Sequence, residues 1–280
     1  MFDFRIPLRD WVEAFVDFLQ TYLGAFFDGF ADVTETIIDA LLAVLQGSPS
    51  IVVIVVLSLL AFWLAGWRTG LFALLGLFLV ENIGLWTPFL QTLALVLTAQ
   101  ILIMIVGIPL GILSASSDTA EKIMRPILDF MQTMPAFVYL VPAVIFFGIG
   151  LVPGVVATLV FALPPLIRLV NLGIRQVPSD LVEAAEAFGS TGWQKLVKVQ
   201  FPVALPTIMA GINQSIMLNL SMVVIAGMIG ARGLGAEVLR GIQRINVGQG
   251  FEAGLAVVIL AIVLDRITAS FGKAGGPKTG

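Results

Sequence analysis

The chain contains no cysteine and no histidine, and only 12% of its 280 residues are charged. The absence of cysteine excludes disulfides and thiol chemistry. Without histidine, the chain lacks the commonest metal ligand and the usual acid–base group near neutral pH. A soluble domain carries about 25% charged residues. Because 59% of this chain is hydrophobic and its mean hydropathy is +1.04, we predict a polytopic membrane protein.

Residues 1–48 predict an amphipathic N-terminal extension. Apolar residues recur there at helical spacing, and the opposite face is acidic, with residues such as Asp10 and Glu13. The stretch is too polar to span a bilayer and lacks the basic start and cleavage site of a signal peptide. We expect an interfacial helix, or a helix pair broken near Gly24 and Gly29.

Long apolar stretches follow, each near the ~20 residues that a helix needs to cross the hydrocarbon core. They are residues 51–67, 70–87, 89–115, 130–149, 152–174, 204–230 and 250–271. The predicted fold is therefore an all-α integral membrane protein with about seven transmembrane helices after the amphipathic helix. Residues 49–87 would hold two peripheral transmembrane helices, residues 88–271 a core, and residues 272–280 a flexible tail. Within the core, Pro109 with the Gly107/Gly111 pair predicts either a kink or, through the four-residue spacing of the glycines, a close approach of two helices.

Basic residues are unevenly divided between the two ends of these spans, which indicates the orientation. One end carries Arg68, Lys122, Arg125, Arg175, Lys195, Lys198, Lys273 and Lys278, and the other carries Arg5, Arg9, Arg232, Arg240 and Arg244. The first end is predicted to be cytoplasmic. This places the polar segment 175–203 and the C-terminus in the cytoplasm and the N-terminus outside.

The polar segment 175–203 predicts two short helices joined by a turn. Asp180 can cap the first helix with Glu183 in the capping-box position, and Gly189 can end it in a left-handed conformation. Thr191 and Gln194 form a second capping-box pair. One face of the first helix would carry Leu181, Ala184, Ala185 and Phe188. This exposed face could receive a partner protein, and an amphipathic connector lying on the bilayer is the alternative.

The same segment resembles the EAA loop of type I ABC importer permeases. That pattern is Glu-Ala-Ala, three residues, Gly, nine residues, then Ile-x-Leu-Pro. Here the residues in register are Glu183, Ala184, Ala185, Gly189, Val199 and Pro202, and Val199 and Phe201 replace the usual Ile and Leu. The resemblance covers residues 88–271 and implies a type I ABC permease core. We call residues 175–203 the EAA loop.

The resemblance implies that the EAA loop inserts into a groove on a cytoplasmic ABC ATPase subunit. Glu183 would contact the ATPase, Ala184 and Ala185 would form the close-packed surface, and Gly189 would set the turn. The chain has no Gly-x4-Gly-Lys-Ser/Thr loop for nucleotide phosphates. ATP and Mg are therefore expected on the partner subunit, with no cofactor or metal bound by this chain and no enzymatic activity of its own.

Within that family the chain is most similar to the glycine betaine/proline betaine branch. The similarity lies in the amphipathic extension, the run 129–142 and the Gly-Leu-Gly turn of residues 229–235. It implies import of a quaternary amine, a permease homodimer, a separate extracytoplasmic binding protein and the bacterial inner membrane, with no nucleic acid as partner. No substrate-binding domain is expected on this chain, because it ends shortly after the last span.

Polar residues inside the spans are the default candidates for a solute pathway. The candidates are Gln132, Asn213, Asn219, Ser221 and Met222. Interhelical hydrogen bonding is the alternative role for the polar ones.

A type I permease for methionine or a sulfonate is the nearest competing function. A stand-alone secondary transporter is disfavoured because acidic residues deep in the spans are nearly absent. An intramembrane enzyme is disfavoured because the spans contain no catalytic constellation.

Overall fold

A computed structural model describes residues 7–274, which form a bundle of helices. The helices are α1 (Leu8–Gln46), α2 (Ser50–Ala65), α3 (Trp67–Asn82), α4 (Trp86–Ser116), α5 (Asp118–Thr133), α6 (Leu140–Phe147), α7 (Leu151–Arg175), α8 (Ser179–Ala187), α9 (Gly192–Lys195), α10 (Phe201–Ala226), α11 (Leu234–Gln243) and α12 (Val247–Ala274). Short 3-10 turns cover Ala136–Tyr139 and Gly227–Ile229. A π-helical turn covers Leu196–Gln200.

The last helix extends into the predicted C-terminal tail. Because α12 continues to Ala274, the first residues of the predicted flexible tail are helical. The rest of that tail, residues 275–280 with Lys278, lies outside the described residues, as do residues 1–6 with Arg5.

The N-terminal extension forms one continuous helix of 39 residues, so the first of the two alternatives, a single helix without a break near Gly24 and Gly29, is the one observed. A glycine inside a helix costs only about 1 kcal/mol relative to alanine, and the apolar pattern runs on both sides of each glycine. α1 meets α2 at 104° and therefore lies across the bundle. Its exposed face carries Trp11, Phe15, Phe18, Tyr22 and Phe26. An exposed aromatic stripe on a crosswise helix is the arrangement expected of an interfacial helix.

α1 is held against the bundle through the end of α6. The ring centroids of Phe27 and Phe146 are 4.6 Å apart, within the range of favourable aromatic pairs. Gln20 Nε2 donates to the carbonyl oxygen of Ile145 at 3.0 Å. Further along α1, Thr34 and Ile38 are fully buried.

Among residues 7–274, four helical segments are each long and apolar enough to cross a membrane, namely Trp86–Ser116, Leu151–Arg175, Gly192–Ile229 and Val247–Phe271. The peripheral helices α2 and α3 have 16 residues each. At 1.5 Å per residue each rises ~24 Å, shorter than the ~30 Å hydrocarbon core. The predicted peripheral helices are present, but both are short for a full crossing.

The stretch 130–149, predicted as one span, is instead divided between α5 and α6, which meet at 106°. The break falls at Met134, whose ψ of 135° is extended, and at the following Pro135. Proline has no N–H for the helix and forces the residue before it out of the helical region. Pro135 is visible in the sequence, but the stretch 130–149 was predicted as one span because it is apolar throughout.

The centre of the bundle is formed by α4, α7 and α10. Gly107 and Gly111 lie where α4 meets α7, as predicted. A Cβ on Gly111 would lie 2.5 Å from Val170 Cβ, and a Cβ on Gly107 would lie 2.8 Å from a methyl of Leu166. α4 continues through Pro109 without a break. Glycine at 111 is therefore required for the spacing of the two helices, whereas a Cβ at 107 would displace only the end of the Leu166 side chain.

Interhelical contacts show which helix ends share one side of the bundle. Arg175 at the end of α7 pairs with Asp118 at the start of α5 at 2.7 Å. In the last turns of α12, Asp265 accepts a hydrogen bond from Asn213 Nδ2, in the first half of α10, at 2.9 Å. The EAA loop, the start of α5 and the end of α12 therefore lie at one end. We call this the loop end. The crosswise α1 contacts α6 at the opposite end.

Candidate functional site

The first helix of the EAA loop begins differently from the prediction. Its N-cap is Pro178, with φ −52° and ψ 133°, and no side chain caps it. Asp180 lies one position inside the helix, in its first turn, so the predicted capping box of Asp180 with Glu183 is wrong. Proline is pre-organised for a helix start because its φ is fixed near the helical value. Asp180 still favours the helix through its charge near the positive end of the dipole.

The first helix ends in a Schellman motif at Gly189. Gly189 has φ +76°, which confirms the predicted left-handed conformation. Its N–H donates to Glu186 O at 2.9 Å, and the N–H of Ser190 donates to Ala185 O at 3.0 Å. These are the two hydrogen bonds that define the motif. The chain direction after α8 is therefore set by backbone geometry.

The second helix begins with the predicted capping box. The N–H of Thr191 donates to Gln194 Oε1 at 2.9 Å, and the N–H of Gln194 donates to Thr191 Oγ1 at 3.3 Å. The helical path then runs through the π turn into α10, with Pro202 in the first turn. No loop therefore separates α9 from the long apolar helix α10.

A salt bridge joins the two short helices of the EAA loop. Lys195 Nζ lies 2.5 Å from Glu186 Oε1, and the lysine side chain is 23% exposed. Exposed ion pairs contribute up to about 1 kcal/mol. The bridge adds to the backbone hydrogen bonds at Gly189, so the angle between α8 and α9 is held at two places.

The exposed face of the EAA loop differs in one residue from the predicted face. Ala185 is 8% exposed and is covered by the chain itself, whereas Ala184 and Glu183 are exposed. Leu181 is also exposed, and Phe188 is 92% exposed. A small residue at 185 therefore allows the loop to pack on its own protomer. The apolar groups available to a partner are Leu181, Ala184 and Phe188.

A cluster of charges at the loop end was not predicted from the sequence. Arg175 lies 2.7 Å from Asp118 and 3.2 Å from Glu121, and it donates to the carbonyl oxygen of Ser114 at 3.1 Å. Further along α5, Asp129 pairs with Arg168 of α7 at 2.5 Å. These pairs tie α5 to α7 immediately before the EAA loop. In the sequence these residues are recognisable only as charges near the ends of apolar stretches. That position does not identify the residue with which each charge pairs.

Three of the five predicted pathway residues make contacts between helices of the chain. Asn219 is fully buried, and its Nδ2 donates to Val96 O of α4 at 2.9 Å. Asn213 bonds to Asp265 and accepts from Thr268 Oγ1 at 2.8 Å. Met222 is fully buried in a cluster with Tyr139 and Leu140. Asn219 and Met222 are covered by the surrounding helices, whereas Asn213 is half-buried and joins α10 to α12 through its hydrogen bonds.

The other two candidates, Gln132 and Ser221, are exposed. Ser221 Oγ donates to the carbonyl oxygen of Met217 in its own helix at 3.1 Å. Gln132 lies in the last turn of α5, beside the break before α6. Both side chains are therefore accessible from outside the helix bundle.

The Gly-Leu-Gly turn docks onto α4 through a residue that the sequence did not single out. Thr92 Oγ1 accepts the N–H of Leu234 at 2.8 Å and donates to Pro88 O at 3.0 Å. A Cβ on Gly235 would lie 2.7 Å from Val224 Cα. The turn is therefore fixed by one buried hydrogen bond and by a close backbone crossing with the end of α10.

This arrangement has the type I ABC permease fold. The chain is similar to a solved structure of the MetNI methionine ABC transporter in an inward-facing conformation, with a TM-score of 0.61 at 22% identity. The similarity covers 66% of this chain and 93% of that one. A second crystal form of the same transporter gives a TM-score of 0.56 at 24% identity.

A family model for the inner membrane component of binding-protein-dependent transport systems matches residues 107–278. The chain is 54% identical to the glycine betaine transport system permease protein OpuAB of Bacillus subtilis, over 94% of each chain. It is 51% identical to the glycine betaine/proline betaine permease ProW of Escherichia coli, over 96% of this chain and 76% of that one. The chain therefore belongs to the family of permease components of ABC importers.

Proposed function

We propose that the chain is the permease subunit of an ATP-driven importer and that its EAA loop docks into a cytoplasmic ABC ATPase. The observation that carries this proposal is the exposed apolar surface of a rigid loop, with Phe188 92% exposed. Large exposed apolar groups on a fixed scaffold are typical of protein interfaces. Glu183 and Ala184 lie beside Phe188, and Gly189 fixes the turn. ATP and Mg would be bound by the ATPase subunit.

We propose glycine betaine, proline betaine or a related quaternary amine as the solute. Relatives with these names share 51–54% identity over nearly the whole of this chain. A quaternary ammonium zwitterion suits a pathway with neutral polar and aromatic groups. Gln132 and Ser221 are exposed neutral groups, and Phe137, next to the break after α5, is 54% exposed. The likeness to the methionine transporter is one of fold alone and does not favour methionine.

The remaining partners are proposed from the two ends of the bundle. The more basic loop end would be cytoplasmic in a bacterial inner membrane, with the crosswise α1 outside. A binding protein would dock at the outer end, where Arg232, Glu237 and Arg240 line a cavity beside the Gly-Leu-Gly turn. Two copies of the permease would enclose the pathway between them.

Uptake into proteoliposomes tests the solute. The permease is reconstituted with its ATPase and binding protein, with ATP on the ATPase side and labelled glycine betaine on the other. We expect ATP-dependent accumulation that unlabelled proline betaine suppresses and unlabelled methionine does not. Accumulation of methionine or a sulfonate in place of glycine betaine would overturn the solute assignment, and ATP-independent accumulation would overturn the importer assignment.

A further inference from the structure

A cavity of about 590 Å³ lies between the α2–α3 turn and the last turns of α12. Its lining includes Leu64, Arg68, Thr69, Phe72, Ile262 and Arg266. It lies at the loop end, because the adjacent Asp265 bonds to the first half of α10. The cavity is separate from the EAA loop, and the proposed transport function does not use it.

The mouth of the cavity is positively charged. Arg68 has no ion-pair partner among residues 7–274, and its guanidinium lies over the ring of Trp67 at 5.6 Å from the centroid. A guanidinium over an aromatic ring is attracted to the face of that ring and can still donate its N–H groups to an anion. Arg68 also lies in the first turn of α3, where free backbone N–H groups attract negative charge.

Arg266 supplies the second charge from a different helix. Its side chain is 63% exposed, and its Nε reaches the neighbouring carboxylate of Asp265 only at 3.9 Å. The other oxygen of that carboxylate accepts a hydrogen bond from Asn213. Asp265 is therefore turned towards α10, and it neutralises Arg266 only in part.

The floor of the cavity is apolar. Phe72 lies one turn beyond Arg68 along α3, and Ile262 lies one turn before Arg266 along α12. α3 runs away from the loop end and α12 runs towards it, so both apolar residues lie deeper in the bilayer than the arginines. Both are partly exposed, Phe72 by 37% and Ile262 by 36%. An apolar groove thus leads from a cationic mouth into the hydrocarbon region.

We propose that this cavity binds one anionic phospholipid. Its phosphate would lie between Arg68 and Arg266, and one acyl chain would run along Phe72 and Ile262. Basic pockets between transmembrane helices on the cytoplasmic side are suited to anionic head groups. Arginine pairs with phosphate through two parallel hydrogen bonds. The acyl chains of a zwitterionic lipid would fit the apolar floor equally well, but the two arginines at the mouth would repel its ammonium group.

Native mass spectrometry of the purified full-length protein tests this site. The protein is mixed with phosphatidylglycerol or phosphatidylcholine of identical acyl chains, and the retained lipid is compared. We expect preferential retention of phosphatidylglycerol. Arg68→Gln and Arg266→Gln should each lower that preference about fivefold. Arg68→Lys should keep most of it, because the charge remains. Arg244→Gln, at the end of α11 and just before the start of α12, is the matched control and should leave the preference unchanged.

Two results would overturn the proposal. One is equal retention of the two lipids by the wild type. The other is an unchanged preference in the variant that carries both glutamine substitutions. Competition with inorganic phosphate separates a lipid site from a general anion site. We expect millimolar phosphate to leave the lipid bound, and complete displacement by phosphate would contradict a lipid site. Lipid retention is measured without transport. A negative result would therefore contradict the lipid site and leave the proposed importer function intact.

Discussion

Ser190 donates its backbone N–H to the carbonyl oxygen of Ala185 at 3.0 Å, which closes the first helix of the EAA loop onto the turn that follows. The bond requires the left-handed conformation of Gly189 between them. The carbonyl of Ala185 lies at the inner, buried side of the loop, whereas Phe188 projects outward. One local motif therefore fixes which face of the loop a partner can reach.

Replacement of Gly189 should uncouple the loop without unfolding the protein. A left-handed conformation costs a residue with a Cβ roughly 1–2 kcal/mol, which disfavours the docking-competent loop by a factor of roughly 5–30. We expect Gly189→Ala to lower solute-stimulated ATPase activity of the reconstituted complex within this range. Gly189→Pro should abolish it, because proline also removes the N–H bonded to Glu186.

Gly192→Ala is the matched control for Gly189. A Cβ on Gly192 meets nothing within 4 Å, and Gly192 does not have a positive φ. Its variant should keep wild-type stimulation. Equal activity of Gly189→Ala and Gly192→Ala would contradict the role assigned to the turn.

Phe188 should carry a large share of the affinity for the ATPase. Truncation of an aromatic side chain at the centre of an interface typically costs 2 kcal/mol or more, that is about 30-fold in affinity. We expect Phe188→Ala to weaken binding of the ATPase by about that factor, measured by titration of the ATPase onto nanodisc-embedded permease. Trp63→Ala removes an equally exposed aromatic side chain from α2. Binding should be unchanged in that variant, and a comparable loss in both would contradict the docking surface.

The hydrogen bond from Leu234 to Thr92 should contribute measurably to stability. Thr92→Val keeps the shape of the side chain but leaves the buried N–H of Leu234 without its acceptor. Such an unsatisfied group costs about 1–3 kcal/mol. We expect a lower unfolding temperature in detergent. Thr98→Val is the control on the same helix, because the buried Thr98 hydroxyl donates only to Ala94 O of its own helix. A similar shift in both variants would show that the turn does not depend on Thr92.

Substitutions of Asn219 and Ser221 should distinguish a residue that packs helices together from a residue that contacts the solute. Asn219→Leu removes the buried hydrogen bond to Val96 O, and such interhelical bonds contribute about 0.6–1.7 kcal/mol in membrane proteins. We expect a lower unfolding temperature and an unchanged KM for uptake. For Ser221→Ala we expect the reverse, an altered KM with unchanged stability. A changed KM in Asn219→Leu with stability intact would return Asn219 to the pathway.

Local features of this fold follow from the sequence because they depend on neighbouring residues only. The left-handed turn at Gly189 and the capping box of Thr191 and Gln194 were predicted from residues at most four positions apart. The close approach at Gly107 and Gly111 was likewise predicted from spacing. The EAA loop was located by its resemblance to a family pattern, which lies within one short segment.

Features that depend on distant residues could not be predicted. The burial of Ala185 is decided by the chain that folds over it, and the sequence alone placed it on the exposed face. Asn219 and Met222 were chosen for their chemistry, but only the packing of α4, α7 and α10 decides that they point inward. The ion pairs of Arg175 join residues more than 50 positions apart. Nothing in the local pattern of α7 specifies those partners.

Co-purification of the ATPase with the tagged permease tests the central claim most directly. Ala184→Arg places a bulky charge on the exposed face of the EAA loop, whereas Ala185→Arg would disturb a buried position and the protomer itself. Ala40→Arg, on an exposed position of α1, is the matched control. If the EAA loop docks as proposed, an ATPase with a nucleotide-binding loop co-purifies with the wild type and with Ala40→Arg and is lost from Ala184→Arg. Retention of the ATPase by Ala184→Arg, or no ATPase with the wild type in any mild detergent, would contradict docking through this loop.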